Sequence, residues 1–317
     1  MDIEYLLFLQ NLRIGSRGIF DSLFLYITTL GEDFILMVWI CGFYWCVCKR
    51  LGIYLMLNFH IANFANQLIK ITACVYRPWV RDHRIMPVEA AKGAATGYSF
   101  PSGHTAKAVG VWGGLALGVK ECRSLRTLLI ALALAVGFSR NYLGVHTPQD
   151  VIVSIALGCI FLILSQKIFS WVEKENNHDL WLCLGGIVLA LGLLAYGALK
   201  SYPMDYVEGQ LLVDPSGMVS GSIRGAGGVM GLLLAWIWER RWIRFDETSG
   251  VWTEKLFRFL LGIGGLLMII KVVPSLLSLF LSGKWCAFLN GFLIPVYIVA
   301  LYPLCIKKLT WYVAIKE

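Results

Sequence analysis

A histidine and an aspartate stand four residues apart in the segment Leu143 to Asp150, a spacing that suits covalent chemistry. Pro148 is favoured at the first position of a helix, which would bring residues 146 and 150 together on one face. A carboxylate that accepts the Nδ1 proton fixes the imidazole tautomer and leaves Nε2 as a lone pair. A single histidine is more often structural, but the paired carboxylate and the nearby Arg140 favour chemistry. We interpret His146 as a nucleophile that Asp150 orients.

A second polar passage, Thr96 to Thr105, interrupts the apolar sequence. Pro101 fixes φ and Gly103 lets the backbone approach a ligand closely, so the passage is typical of a helix start. The Ser102 hydroxyl and the Gly103 N–H would then lie at the positive end of a helix, where anions bind. His104 follows them and is suited to exchange a proton with the bound ligand.

Three cations accompany these residues. A mostly polar stripe recurs at steps of four, three, four and three along the predicted second span, on one helix face: Asn63, Gln67, Lys70, Cys74 and Arg77. A lysine buried without an anionic partner is costly, so Lys70 favours a bound anion. For Arg77 alone, the alternative is a side chain that extends to the membrane interface. We expect Lys70, Arg77 and Arg140 to bind the oxygens of one anion.

The elements that must position these residues are membrane helices. Of the 317 residues, 58% are hydrophobic and 15% are charged, and the mean hydropathy is +0.68. This composition is typical of an integral membrane protein. The net charge of +8 comes from short basic clusters at the ends of apolar runs, without a basic groove for nucleic acid. The nine cysteines show no metal-ligand spacing, and we interpret them as free thiols.

We predict an all-α, polytopic membrane bundle with about nine spans. The predicted spans are residues 33–48, 51–75, 103–119, 125–143, 147–169, 180–199, 223–239, 256–273 and 285–306. The chain divides into interfacial N-terminal helices (1–32), a core that carries the chemical residues (33–175), and four additional C-terminal transmembrane helices (176–317).

Positive charge predicts the orientation of the bundle. Basic clusters that fall on one side are Lys49-Arg50, Lys120 with Arg123 and Arg126, Lys167 with Lys174, Arg240-Arg241 with Arg244, and Lys307-Lys308. By the positive-inside rule this side is cytoplasmic. The loops at about 76–102 and 200–222, and with them the candidate site, then face away from the cytoplasm.

Basic residues in the first outer loop break this rule: Arg77, Arg81, Arg84 and Lys92. We attribute the exception to an anionic ligand. Arg224, at the outer start of the seventh span, is a further candidate to reach that anion. Anchoring at the interface, together with close packing of the small residues around it, explains Arg224 equally well.

These residues resemble the three-part signature of the type 2 phosphatidic acid phosphatase superfamily, which includes glucose-6-phosphatase and the vanadium haloperoxidases. The three parts are Lys70-x6-Arg77-Pro78, Pro101-Ser102-Gly103-His104 and Ser139-Arg140-x5-His146-x3-Asp150. The resemblance covers about residues 50–170. It implies a helical core, no catalytic metal or other cofactor, and hydrolysis of a phosphate ester through a phosphohistidine.

In such a reaction His146, oriented by Asp150, attacks phosphorus. The three cations bind the phosphoryl oxygens, and the hydroxyl and N–H of the Pro-Ser-Gly-His tetrapeptide add hydrogen bonds. His104 donates a proton to the leaving oxygen and then takes one from the water that cleaves the phosphohistidine.

A site at the outer interface admits a phosphate head group while the hydrocarbon tail stays in the bilayer, so we expect a phosphorylated lipid as the substrate. The resemblance suggests undecaprenyl pyrophosphate, phosphatidic acid, phosphatidylglycerol phosphate or a sphingoid phosphate, and a bacterial cell membrane. Two alternatives stay open: a water-soluble ester such as a sugar phosphate, and a lipid-phosphate carrier or binding protein. The apolar chain disfavours the haloperoxidase branch, whose members are generally soluble.

Overall fold

The computed structural model describes residues 2–119, 121–207 and 209–308; Lys120 lies outside these ranges. The described chain is helical apart from one small hairpin, which confirms the all-α prediction. Its α-helices are α1 (Asp2–Gly15), α2 (Asp21–Thr29), α3 (Asp33–Gly42), α4 (Lys49–Ala73), α5 (Pro78–Arg81), α6 (Glu89–Lys92), α7 (Gly103–Ala108), α8 (Gly114–Gly118), α9 (Arg123–Tyr142), α10 (Pro148–Lys174), α11 (His178–Leu199), α12 (Pro215–Trp238), α13 (Trp252–Leu277) and α14 (Gly283–Val296).

Short π-helical stretches extend or join several of these helices. They are Phe43–Val47 after α3, Val109–Gly113 between α7 and α8, Glu239–Ile243 after α12, and Tyr297–Leu301 after α14. The hairpin pairs β1 (Tyr206–Val207) with β2 (Gln210–Leu211) in antiparallel register. Each of the nine segments predicted as spans is therefore largely helical.

Fewer helices qualify as spans by length and composition than the sequence predicts. Within the described residues five qualify, in α10, α11, Pro215–Ile243, α13 and Gly283–Lys308. The pair Asp21–Thr29 and Asp33–Val47, bent by 50°, makes six if it crosses as one broken span. The other predicted spans fall short because α4 carries many polar side chains, α9 carries three arginines, and α7 and α8 are each short. The total of about nine spans stays a prediction.

The chain forms two compact units. The first contains the chain up to Leu36, Ile61–Leu164 and Leu199–Val219. The second contains Met37–His60, Ser165–Ala198 and the chain from Ser220 onward. All signature residues lie in the first unit, and Arg224 lies in the second. The functional division at residues 32 and 175 stays a prediction.

In the first unit, α2 packs against the C-terminal half of α9. The Phe24 ring lies 5.4 Å from the Phe138 ring and 4.1 Å from the Tyr142 ring, between centroids. The Tyr142 hydroxyl donates a 3.0 Å hydrogen bond to Asp21. Aromatic packing and this bond therefore attach the N-terminal region to the end of α9, directly before the His146 segment.

The basic first loop is mostly neutralised by the protein itself, which corrects the expectation of a ligand for all four cations. Ion pairs of 2.8 to 3.2 Å join Arg81 to Asp2, Arg84 to Glu4, and Lys92 to Glu89. Glu89 belongs to the loop itself, whereas Asp2 and Glu4 belong to α1. The expectation failed because the net charge was counted over the loop without α1. Of the four cations, Arg77 alone turns toward His146 in the described structure.

In the second unit, small residues let α12 and α14 pack closely. A Cβ atom on Gly227 would lie 2.3 Å from the Phe288 carbonyl oxygen, and one on Gly231 would lie 2.3 Å from the Phe292 carbonyl oxygen. Such a contact is too short for any side chain, so glycine is required where the two backbones meet. The structure thus confirms the close packing that the Gly-rich sequence after Ser220 predicts.

Candidate active site

The His146 and Asp150 side chains meet in a buried hydrogen-bonded pair. Asp150 Oδ2 lies 3.1 Å from His146 Nδ1, and both side chains are about 2–3% exposed. The same oxygen accepts hydrogen bonds from the Thr147 backbone N–H at 2.9 Å and from the Ser99 hydroxyl at 2.5 Å. These donors hold the carboxylate as an acceptor for the Nδ1 proton, and this arrangement favours the tautomer that the sequence predicts.

The chain reversal between α9 and α10 presents this pair. Gly144 follows α9 in the left-handed region (φ +73°), a conformation that costs glycine little. The Arg140 carbonyl oxygen then accepts hydrogen bonds from the N–H groups of Val145 and His146 at 3.1 and 3.2 Å. α10 begins at Pro148, as the sequence predicts, and this places Asp150 in its first turn beside His146.

Arg77 binds the other nitrogen of the imidazole. Its Nη1 lies 2.9 Å from His146 Nε2 and 3.0 Å from the Val145 carbonyl oxygen. A guanidinium only donates, so Nε2 is the acceptor in this pair. Arg77 also donates to the carbonyl oxygens of Gly97 and Thr96. Burial, followed by the charge of Arg140, lowers the pKa of Arg77 to about 9, so it stays positive at neutral pH.

The predicted helical stripe ends before it reaches Arg77. α4 stops at Ala73, and Cys74 takes a left-handed conformation (φ +48°). Arg77 is the N-cap residue of α5, with Pro78 next to it. Cys74 and Arg77 therefore do not continue the α4 face, and a change of chain direction places Arg77 against His146. Lys70 lies in the last turn of α4 and is 8% exposed.

The Pro-Ser-Gly-His tetrapeptide forms a helix start. Ser102 is the N-cap residue of α7, and its hydroxyl oxygen accepts from the Thr105 N–H and the Thr105 hydroxyl at 3.4 and 2.8 Å. The Ser102 N–H donates to the Asp150 carbonyl oxygen at 3.2 Å, which joins this helix start to α10. A hydroxyl accepts two hydrogen bonds and donates one, so the Ser102 proton is left to donate to a ligand.

Arg140 is a buried cation with donors that make no hydrogen bond within the described structure. It is 0% exposed, and Nη1 donates to the Thr28 hydroxyl at 2.7 Å. Nε and Nη2 have no hydrogen-bond partner among the described residues, and the same holds for Nε2 of His104. Buried donors without a partner are costly, and an anionic ligand would satisfy them.

Positive charge is concentrated around these groups. Lys70 lies within electrostatic range of Arg77, Arg140, Lys107 and Asp150. His104 lies within range of Lys70, Lys107, Arg140 and His146. Asp150, Asp33 beside Lys107 and Glu32 near Arg140 offset part of this charge, but the four cations still outnumber these three carboxylates, which suits an anion. The structure thus brings together the predicted site residues of the signature, all of which belong to the first unit.

Sequence reasoning missed four residues at this site. Ser99 contacts Asp150, and Asn66 Nδ2 donates to the Pro101 carbonyl oxygen at 3.1 Å. Lys107 adds a further cation, which forms an ion pair with Asp33. Thr28 holds Arg140. Ser99 and Lys107 lie within or close to the polar passage, and Asn66 lies one turn before Lys70, so their positions gave some indication; Thr28 lies in an apolar helix and gave none.

Three further predictions concern the cysteines, a bound metal and Arg224. The nine cysteines are all free thiols in the structure. Within the described residues no group of three or more His, Cys, Asp or Glu side chains is arranged to hold a metal ion. Arg224 belongs to α12 of the second unit, and its role in substrate binding stays a prediction.

Comparison with known proteins identifies the family. Residues 51–174 match the PAP2 superfamily model, and residues 223–313 match the model described as PAP2 superfamily phosphatase, transmembrane extension. The two matches together cover about two thirds of the chain. No solved structure matches it.

Similar curated proteins carry the names of lipid phosphatases. The chain is 32% identical to an undecaprenyl-diphosphatase of Sulfolobus acidocaldarius over 38% of its own length and 57% of that protein. It is 26% identical to a dihydrosphingosine 1-phosphate phosphatase of Schizosaccharomyces pombe, over 51% and 40%. It is 44% identical to phosphatidylglycerophosphatase B of Escherichia coli, over 27% and 37%. The chain thus spans between about a third and three fifths of these relatives.

Fold and site define a helical integral membrane protein in which a histidine–carboxylate pair lies among buried cations. The chain belongs to the PAP2 superfamily, which confirms the resemblance carried by its three-part signature.

Proposed function

We propose that this protein is a membrane phosphatase that hydrolyses phosphate monoesters or diphosphates of lipids through a phosphohistidine. The observation that carries the proposal is the buried His146–Asp150 pair, 3.1 Å apart, near Arg140, two of whose donors have no hydrogen-bond partner among the described residues. A phosphoryl group bound by those donors would satisfy them and lie near a nucleophilic nitrogen. The lipid phosphatase names of the relatives support the same class of substrate.

In the first step, Nε2 of His146 forms a bond to phosphorus while the bond from phosphorus to the leaving oxygen breaks. Arg77 must first release Nε2, and the phosphoryl oxygens offer its guanidinium a replacement acceptor. Lys70 and Arg140 offset the negative charge on those oxygens. His104 donates its proton to the leaving oxygen, so that the product departs as a neutral alcohol or a protonated phosphate.

In the second step, water cleaves the phosphohistidine. His104, now neutral, takes a proton from the water as its oxygen attacks phosphorus, and His146 departs with its electron pair on Nε2. Asp150 keeps the Nδ1 proton in place during both steps. The products are inorganic phosphate and the starting form of the enzyme, so the cycle balances without an external acid or base.

The membrane setting supports a lipid as the substrate. In the orientation that we propose, the site opens at the non-cytoplasmic face of a bacterial cell membrane, where a phosphate head group reaches it from the outer leaflet. Undecaprenyl pyrophosphate and phosphatidic acid are two substrates of suitable chemistry. Arg224 remains a candidate to contact the same head group.

Phosphate release tests this function directly. Purified full-length protein in detergent is given lipid monophosphates, lipid diphosphates and soluble esters, with a chelator present. We expect turnover of lipid substrates in chelator and inhibition by vanadate, which mimics the transferring phosphoryl group. His146→Ala and His104→Ala should each abolish release, whereas His83→Ala, a change at an exposed histidine, should retain it. Wild-type turnover by folded His146→Ala protein, or lipid transfer without phosphate release, would refute the proposal.

A further inference from the structure

Within the described residues the Arg140 side chain makes one hydrogen bond, and its partner lies outside the three-part signature. Nη1 donates to the Thr28 hydroxyl at 2.7 Å, and the Thr28 side chain is buried at 5% exposure. Thr28 lies on α2, and the region that matches the PAP2 superfamily model begins at residue 51. The orientation of a buried guanidinium therefore depends on an element that precedes the matched core.

The turn after Thr28 is fixed against the catalytic helices. The Trp112 indole N–H donates to the Leu30 carbonyl oxygen at 2.9 Å. The Gly31 backbone lies so close to α7 and α9 that a Cβ atom there would be 3.2 Å from His104 Cβ and 2.7 Å from a Val136 methyl. This segment forms one wall of the site, and its position leaves no room for a side chain at Gly31.

We propose that Thr28 is a positioning residue of the phosphate site, which acts by holding the Arg140 guanidinium. The hydrogen bond fixes one terminal nitrogen, and a planar guanidinium fixed at one corner has its two other nitrogens set in direction. Nε and Nη2, which have no hydrogen-bond partner in the part of the chain that the structure describes, are then directed together at a tetrahedral oxyanion. This inference rests on the proposed function, since it assigns a bound phosphoryl group to those donors.

The chain offers a matched control beside Thr28. The next residue, Thr29, is also a threonine of α2, and its hydroxyl donates to the Tyr26 carbonyl oxygen within the same helix. Thr28→Val and Thr29→Val therefore make the same change of side chain at adjacent positions. Only the first removes a hydrogen bond to Arg140. Thr28→Ser keeps the hydroxyl and serves as the conservative rescue.

The test measures KM and kcat for a lipid phosphate, and the dissociation constant of vanadate by calorimetry, on purified full-length variants. For Thr28→Val we expect KM and the vanadate dissociation constant to rise about tenfold, because a hydrogen bond to a charged group is lost. Thr28→Ser and Thr29→Val should stay within about threefold of wild type. A merely structural role would lower the active fraction, and hence kcat, while KM and vanadate affinity stay unchanged.

Coupling to Arg140 gives a second readout. In an Arg140→Ala background, Thr28→Val should cause no further loss of vanadate affinity if Thr28 acts through Arg140. Unchanged KM and vanadate affinity in Thr28→Val, equal effects of the two valine variants, or an additive loss in the Arg140→Ala background would overturn the inference. An inactive wild type would instead refute the proposed function, while vanadate binding still reports on Thr28.

Discussion

At the residue scale, the hydrogen bonds of His146 determine its state before substrate binds. Its Nδ1–H donates a hydrogen bond to the Asp150 carboxylate, and its Nε2 accepts a hydrogen bond from the Arg77 guanidinium. An imidazole in this arrangement is neutral, because protonation at Nε2 would place its proton against a guanidinium. The proposed nucleophile is thus neutral at Nε2, and Arg77, which is proposed to bind substrate, covers its lone pair until an anion arrives.

The pH profile should reflect this arrangement. Burial, with the Arg77 charge second, lowers the pKa of His146. Because only neutral His146 can attack, we expect kcat/KM to fall on the acid side only well below pH 6.5, about the ordinary histidine value. In the complex with substrate, the negative phosphoryl group beside His104 favours its protonated form, so kcat should fall on the alkaline side when His104 loses the proton that it donates. Phosphate release measured across pH checks this bell shape, and a flat profile would exclude these two roles.

The same lowered pKa predicts how native stability depends on pH. Between the unfolded and folded pKa values of His146, the unfolded chain binds a proton that the native protein does not. The free energy of unfolding is therefore not reduced by His146 above about pH 6.5. It declines as the pH falls from there toward the pKa of His146 in the folded protein. His146→Ala should remove this contribution to the acid sensitivity of thermal unfolding.

Ser99→Ala should disturb the nucleophile through its carboxylate. Loss of the 2.5 Å hydrogen bond leaves more negative charge on Asp150 to stabilise a protonated His146, so the pKa of His146 should rise. We expect kcat to fall about tenfold and the acid limb of the pH profile to move to higher pH. Ser154→Ala is the control, because its hydroxyl donates to the Asp150 carbonyl oxygen rather than to the carboxylate. Equal pH profiles for both variants would contradict the role of Ser99.

Residue spacing predicts contacts within one helical turn and misses contacts between distant segments. The contact between His146 and Asp150 could be predicted, because two residues four apart at a helix start lie side by side through local backbone geometry alone. Thr28 and Arg140 are 112 residues apart, and a threonine in an apolar helix resembles many others. Their contact depends on how α2 packs against α9, which the sequence pattern does not state.

At the element scale, the end of α4 shows where periodicity misleads. The polar stripe continues in the sequence to Arg77, but the helix ends at Ala73. Arg77 precedes a proline, and such a residue avoids helical conformation; its ψ of 152° agrees with this rule. The Arg77-Pro78 dipeptide was therefore the better guide. The resulting turn brings Arg77 to His146, which a straight helix does not predict.

Gly144→Ala should damage the reversal between α9 and α10. The left-handed conformation at φ +73° disfavours a side chain, and a Cβ there would lie 3.1 Å from the Pro87 backbone. We expect a loss of about 1–2 kcal/mol in the free energy of unfolding and a lower kcat, since His146 follows two residues later. The measurements are thermal unfolding in detergent and phosphate release.

Gly93→Ala provides the control for this variant. Gly93 has ordinary helical backbone angles, and a Cβ there would meet nothing within 4 Å. Its substitution should leave stability and kcat nearly unchanged. Equal behaviour of the two alanine variants would show that the Gly144 conformation is not what positions His146.

At the scale of the whole molecule, hydropathy predicted the helices better than it predicted their crossings. Every predicted span is largely helical, yet only five or six helices qualify as spans in the described chain. The polar side chains of α4, which include Lys70 of the candidate site, lower the hydropathy of that helix. The ion pairs of the first loop also escaped prediction, because they join Arg81 and Arg84 to residues of α1 that are remote in sequence.

The proposed orientation can be tested with a native thiol. Cys122 is exposed before α9, on the side predicted to be cytoplasmic, and hydrogen bonds with Ser124 lower its pKa, which favours reaction with maleimide. In a chain whose other cysteines are replaced, it should react with a membrane-impermeant maleimide only in opened cells. Ser201→Cys, placed in the predicted outer loop of a chain without other cysteines, should react in intact cells. The reverse labelling pattern would invert the topology and place the site on the cytoplasmic side.

One backbone contact has a mechanical consequence. The Arg140 carbonyl oxygen accepts hydrogen bonds from the N–H groups of Val145 and His146, while the Arg140 side chain is proposed to bind phosphate. Arg140 and His146, the proposed phosphate-binding residue and the proposed nucleophile, therefore belong to one short loop of chain closed by hydrogen bonds rather than to two independently moving helices. When α9 tilts to match a thicker or thinner bilayer, both groups move together and their separation is preserved. We expect the chemical step to be insensitive to bilayer thickness, so that lipid composition acts mainly on substrate access.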